Sequence, residues 1–99
     1  MSLSAGADLL DRLRRTKCGY SQDDFTVGLI DLGYELVREA RHGKIFRHPI
    51  LASHPNLDVR MRNAQILIPK GRELKEYVAR EVLASVEILM AYGKERGGE

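Results

Sequence analysis

Apolar residues at 9, 10 and 13 alternate with charges, the spacing of a short amphipathic helix over 8–15. Lys17-Cys18-Gly19-Tyr20 breaks it. Ser21 followed three residues later by Asp24 has the form of a capping box. Phe25, Leu29 and Leu32 then repeat at helical spacing up to Gly33, a residue suited to a left-handed helix end. The pattern predicts a second helix over 22–32, with Gly28 its weak point. After Gly33 the period changes. Tyr34-Glu35-Leu36-Val37-Arg38-Glu39 and Lys44-Ile45-Phe46-Arg47-His48 are short β-rich runs on either side of 40–43. They predict a hairpin with a glycine at its turn, and Pro49 limits the second strand. Residues 50–63 contain Pro55 and few periodic apolar residues, so they predict a long loop. Residues 64–68 predict a third strand, stopped by Pro69-Lys70-Gly71. From Arg72, apolar positions 74, 78, 82, 86 and 89 step by three or four. That spacing predicts a long amphipathic helix ending at Gly93.

The order helix, helix, hairpin, strand, helix implies an α+β fold of two layers. Its sheet has three antiparallel strands, with helices on one face and the other face free for water or a ligand. Phe25, Leu29, Leu36, Phe46, Leu67, Val78 and Val82 are the expected shared core. The aromatics Tyr34 and Tyr77 also fall at apolar positions, which argues against base stacking.

Ninety-nine residues, 43% hydrophobic and 30% charged, fit one globular domain. A leading helix within 8–16 precedes a core over 21–93. No apolar run approaches the ~20 residues that span a bilayer, so no membrane association is expected. The one cysteine, Cys18, has no internal disulfide partner, and the cytoplasm is the expected location.

Charge is distributed unevenly. Between Tyr34 and Glu76 there are nine Lys or Arg against five acids, while the rest of the chain has seven against nine. A basic middle between acidic ends suits a polyanionic ligand. Its densest part is Arg41-His42-Gly43-Lys44-Ile45-Phe46-Arg47-His48-Pro49. His42, among Arg38, Arg41, Lys44 and Arg47, is a candidate general base or acid, because an imidazole titrates near neutral pH. His48 shares strand parity with Phe46 and is expected to be structural and partly buried. His54, in the loop, is expected to be exposed. Lys70, Arg72 and Lys75 surround the predicted start of the last helix, where free N–H groups favour a phosphate. The spacing of His42, His48 and His54 matches no usual metal-ligand pattern, so neither a metal nor another cofactor is expected.

Four stretches, in order, resemble the HicA-type toxins, small bacterial and archaeal mRNA interferases. Leu29-Ile30-Asp31-Leu32-Gly33-Tyr34-Glu35-Leu36-Val37-Arg38 is similar to the family's helix-to-strand step. Lys44-Ile45-Phe46-Arg47-His48-Pro49 is similar to its second strand. Ile66-Leu67-Ile68-Pro69-Lys70-Gly71-Arg72-Glu73-Leu74 is similar to its third strand and last-helix entry, and 78–86 to that helix's continuation. Leu9-Leu10-Asp11-Arg12-Leu13 resembles the extension of one branch. The resemblance implies an α-β-β-β-α fold like that of double-stranded-RNA-binding domains. It also implies an RNA substrate, cleavage of mRNA that inhibits translation, and a HicB-type antitoxin as partner. The family carries Gly-Ser-His just before the second strand, where this chain reads Arg41-His42-Gly43. Anchored on Ile45-Phe46, Gly43 takes the catalytic histidine's place and His42 precedes it by one residue. A catalytically inactive RNA-binding or protein-interaction module of the same fold is the alternative reading.

Overall fold

The computed structural model describes residues 4–97. It is α+β, with helices α1 (Ala5–Arg15) and α2 (Gln22–Asp31), then strands β1 (Glu35–Ala40) and β2 (Gly43–Arg47). Two short helices, α3 (Pro49–Ala52) and α4 (Leu57–Arg62), precede β3 (Gln65–Pro69) and the long α5 (Glu76–Gly97). The three strands form one antiparallel sheet in the order β1-β2-β3.

Strand periodicity divides the sheet into two faces. Phe46 and its cross-strand neighbour Ile66 point to the helices, as does Ile68 in the next inward row; all three are buried. Ile45 pairs with Arg38 on one side and Leu67 on the other, and this row faces outward. Leu67 is therefore 48% exposed rather than in the core as expected, because its parity is opposite to that of Ile66 and Ile68. Leu36 is also outside the core, at 43% exposure. Its strand lies at the sheet edge, and a bulge between Leu36 and Arg38 interrupts the alternation. Phe25, Leu29, Phe46, Val78 and Val82 do share the expected core.

The start of α2 has the capping box the sequence shows. Ser21 accepts from the Asp24 N–H and Asp24 accepts from the Ser21 N–H. Gly28 is no weak point in this setting. A Cβ there would run into the Leu9 side chain, so the glycine lets α1 cross α2 closely and buries Leu9 and Leu13. At the far end, Gly33 adopts φ 96°, the left-handed conformation expected of it.

Residues 50–63 are not a loop. His48 caps α3 by accepting the Ile50 N–H, with Pro49 in the first turn. Asn56 caps α4 by accepting the Asp58 N–H. These helices have four and six residues, too few for a helical period to register. Each is anchored by one buried side chain, Leu51 or Val59. His54 is half-buried between them, its ring 4.4 Å from that of Tyr92, not simply exposed. Helix α5 also begins four residues later than expected and continues through Gly93 to Gly97.

A buried polar chain links three elements. The Tyr34 hydroxyl lies 2.6 Å from Ser85 Oγ, which donates to the Asn63 carbonyl at 2.7 Å. Burial pushes the Tyr34 phenol up to about 12, so it stays protonated.

Leu29→Ala should cost ~2–5 kcal/mol in denaturant unfolding, the usual range for a buried leucine. Leu67→Ala should cost far less, because its side chain faces outward.

Candidate nucleic-acid interface

The hairpin turns at Arg41 and His42, both exposed, and Gly43 is already inside β2. Gly43 is buried because β3 passes directly beside it. A Cβ at 43 would collide with the Ile68 carbonyl and lie 2.9 Å from Pro69 Cα. No side chain fits at the place the resemblance gives to a catalytic histidine. His42 is left as the imidazole of this turn, and its ring makes no hydrogen bond to a described residue.

The residues that follow β3 do not start a helix. Gly71 has φ 144°, outside the helical range, and the surrounding backbone bonds elsewhere. Gln22 N–H donates to the Gly71 carbonyl at 3.0 Å, and Leu74 N–H to the Tyr20 carbonyl at 2.7 Å. Gln22 Nε2 adds a bond to the Ile68 carbonyl at 3.1 Å. These bonds tie 70–74 to the start of α2 and delay α5 to Glu76. The expectation that Arg72 opens a helix is thereby corrected: Lys70 and Arg72 sit on a pinned loop, and Lys75 just precedes α5.

The same loop touches the hairpin. Lys70 N–H donates to the His42 carbonyl at 3.2 Å, continuing the β2–β3 ladder one step past Pro69. Arg41, His42 and Lys70, far apart in sequence, therefore occupy one end of the sheet. Arg38 lies on the open face in the middle row of the sheet, with Ile45 and Leu67. Lys44 shares the row of Ile68 and Glu39, is half-buried, and points toward the helix side. Arg47 stands at the opposite end of the sheet, between Glu35 and Gln65. The cations expected to act together thus separate: Arg41, Lys70, Arg72 and Lys75 belong to the turn and loop, Arg38 is at mid-sheet on the open face, Lys44 turns to the helix side, and Arg47 stands at the far end.

Their pairing state is uniform. Among the described residues, no carboxylate lies within ion-pair distance of Arg38, Arg41, Lys44, Arg47, Lys70, Arg72 or Lys75. None of these side chains donates to another described acceptor. Four helix arginines behave differently, although Arg62 on α4 also has no partner among the described residues. Arg12, Arg14, Arg15 and Arg80 each face a carboxylate, Arg14 reaching Glu87 at 2.7 Å. Arg60 donates to the carbonyls of His54 and Pro55.

His48 has the structural role its parity implies. It is 4% exposed and its ring meets that of Tyr34 edge-on at 4.8 Å. Its Nδ1 accepts the Ile50 N–H at 3.1 Å, so Nε2 carries the proton donated to the Leu32 carbonyl at 3.0 Å. A second proton on Nδ1 would face another donor. Burial holds this imidazole below its usual range, against smaller opposing effects from the Leu32 carbonyl and Glu35.

Comparison of the chain with protein-family models, curated proteins and solved structures finds no match. Among the described residues, no three metal-ligating side chains cluster, and no helix is long and apolar enough to cross a membrane.

The His48 geometry has a pH consequence. Its folded pKa lies below the unfolded value near ~6.5, so the unfolded chain takes up the proton first as pH falls. The stabilisation is full above that value and is lost as pH falls below it, through the folded pKa. The melting temperature should fall between about pH 7.5 and about pH 5.5, and His48→Gln should flatten this dependence.

Proposed function

We propose that this chain is a HicA-like RNA-binding protein whose contact surface combines the β1–β2 turn with the β3–α5 loop. The observation that carries this reading is the hydrogen bond from Lys70 N–H to the His42 carbonyl. It makes two basic segments one surface, and none of its cations forms an ion pair with a described residue. Phosphate oxygens would supply the missing acceptors and displace counterions on binding. The sequence of helix, three antiparallel strands and helix supports a double-stranded-RNA-binding-domain-like assignment, with α1, α3 and α4 as additions. A HicB-type antitoxin is the protein partner that the resemblance implies.

The second reading adds catalysis: a toxin-type endoribonuclease that cleaves mRNA without a metal. It is favoured by the exposed imidazole of His42 beside the loop cations. The base or acid for transfer at the 2′-hydroxyl would be His42 alone, since Gly43 admits no side chain. The absence of any hydrogen bond from a described residue to orient that imidazole gives binding the stronger support of the two.

Replacing Lys70, Arg72 and Lys75 together by Gln should weaken RNA binding and flatten the slope of log K against log salt by up to ~3 units, about one per lost phosphate contact. An unchanged slope in the folded variant would exclude this surface. If the protein cleaves, His42→Ala should lower the rate by ~10²–10⁴ and leave binding intact. Purified wild-type protein that binds RNA and never cleaves it would instead be the inactive module.

A further inference from the structure

Tyr77, expected in the core, is 54% exposed, while Val78 beside it is buried at 1%. Tyr77 lies in the first turn of α5 on the helix's outer face, in line with the exposed Glu81 and Ala84, whereas Val78, Val82, Val86 and Leu89 form the inner face. Its ring stacks on no described aromatic and its hydroxyl has no described partner. It lines a shallow groove of about 250 Å³ whose wall includes Pro69, Lys70, Glu73, Leu74 and Lys75.

An exposed aromatic ring beside two unpaired lysines has the chemistry of a single nucleotide site. The ring offers a stacking face to a base, and the ammonium groups reach the flanking phosphates. The groove is smaller than the ~300–1,000 Å³ of a drug-sized site, which suits one planar base. Glu73 on the same wall is an acceptor only. It repels a phosphate at that point and suits the exocyclic amino group of adenine or cytosine.

We propose that Tyr77 is the stacking platform for one unpaired, amino-bearing base of the RNA, with Lys70 and Lys75 holding its backbone. This inference rests on the RNA-binding reading and adds to it a preference for single-stranded ligand at this groove. Because a duplex keeps its bases stacked inside, Tyr77 should contribute to unpaired RNA only.

Binding of short oligo(rA), oligo(rU) and a duplex RNA to the full chain tests this, in wild type, Tyr77→Ala, Tyr77→Phe, Glu73→Gln and the triple Gln variant at 70, 72 and 75. Tyr77→Ala should weaken oligo(rA) binding roughly 5- to 150-fold, the equivalent of ~1–3 kcal/mol per stacked base. Duplex binding should be unchanged, and Tyr77→Phe should retain wild-type affinity because stacking needs the ring and not the hydroxyl. Oligo(rA) should bind more tightly than oligo(rU), and Glu73→Gln should narrow that difference. Equal oligo(rA) affinity in wild type and Tyr77→Ala, alongside a loss in the triple Gln variant, overturns the stacking site and leaves the RNA-binding reading standing. Wild-type protein that binds none of the three RNAs overturns both.

Discussion

Everything proposed for this protein depends on how the backbone of 70–74 satisfies its hydrogen bonds. The segment leaves β3 and gives its polar groups to neighbours distant in sequence. Lys70 N–H bonds to the hairpin turn at His42, while Gly71 and Leu74 bond to the chain around the start of α2. A segment so fixed cannot also form the first turn of a helix, which is why α5 starts at Glu76. The same bonds hold the basic loop against the basic turn. Without them, two flexible cationic segments would have to be ordered at the moment of binding, at a cost in conformational entropy.

Charge pairing differs between regions. Arg14, Arg15 and Arg80 find carboxylates on their own or adjacent helices, and these exposed pairs add little to stability. At the turn and loop end, Arg41, Lys70, Arg72 and Lys75 have no carboxylate partner among the described residues. These unpaired cations are available to the proposed polyanionic ligand, and counterion release on binding would supply much of its affinity.

The sequence is most legible where a period or a cap runs long enough. Helix α2 with its Ser21–Asp24 box, the three strands, and the amphipathic run of α5 are all visible in the spacing of apolar residues. The parity of His48 with Phe46 indicates its burial. Legibility fails where the deciding contacts are tertiary. The outward parity of Leu67 follows from pairing with Ile45, and either phase suits a run as short as Ile66-Leu67-Ile68. Helices α3 and α4 are too short to show a period, although the His48-Pro49 and Asn56 caps are present in the sequence. Gly43 looks like a turn glycine; its actual constraint is the close passage of the Ile68 carbonyl, which no local pattern reveals. Tyr77 reads as core by its apolar character, but the phase set by Val78, Val82, Val86 and Leu89 turns it to the outer face with Glu81 and Ala84.

If the turn and loop are one RNA-binding surface, amide chemical shifts recorded while RNA is titrated into labelled protein will show it most directly. Perturbations should concentrate at Arg41–Lys44 and 70–78, with α1 and α4 unaffected and Arg47 weakly affected at most. Perturbations centred on α1 and α2, or on the Arg47 end of the open sheet face with the loop silent, would contradict that assignment.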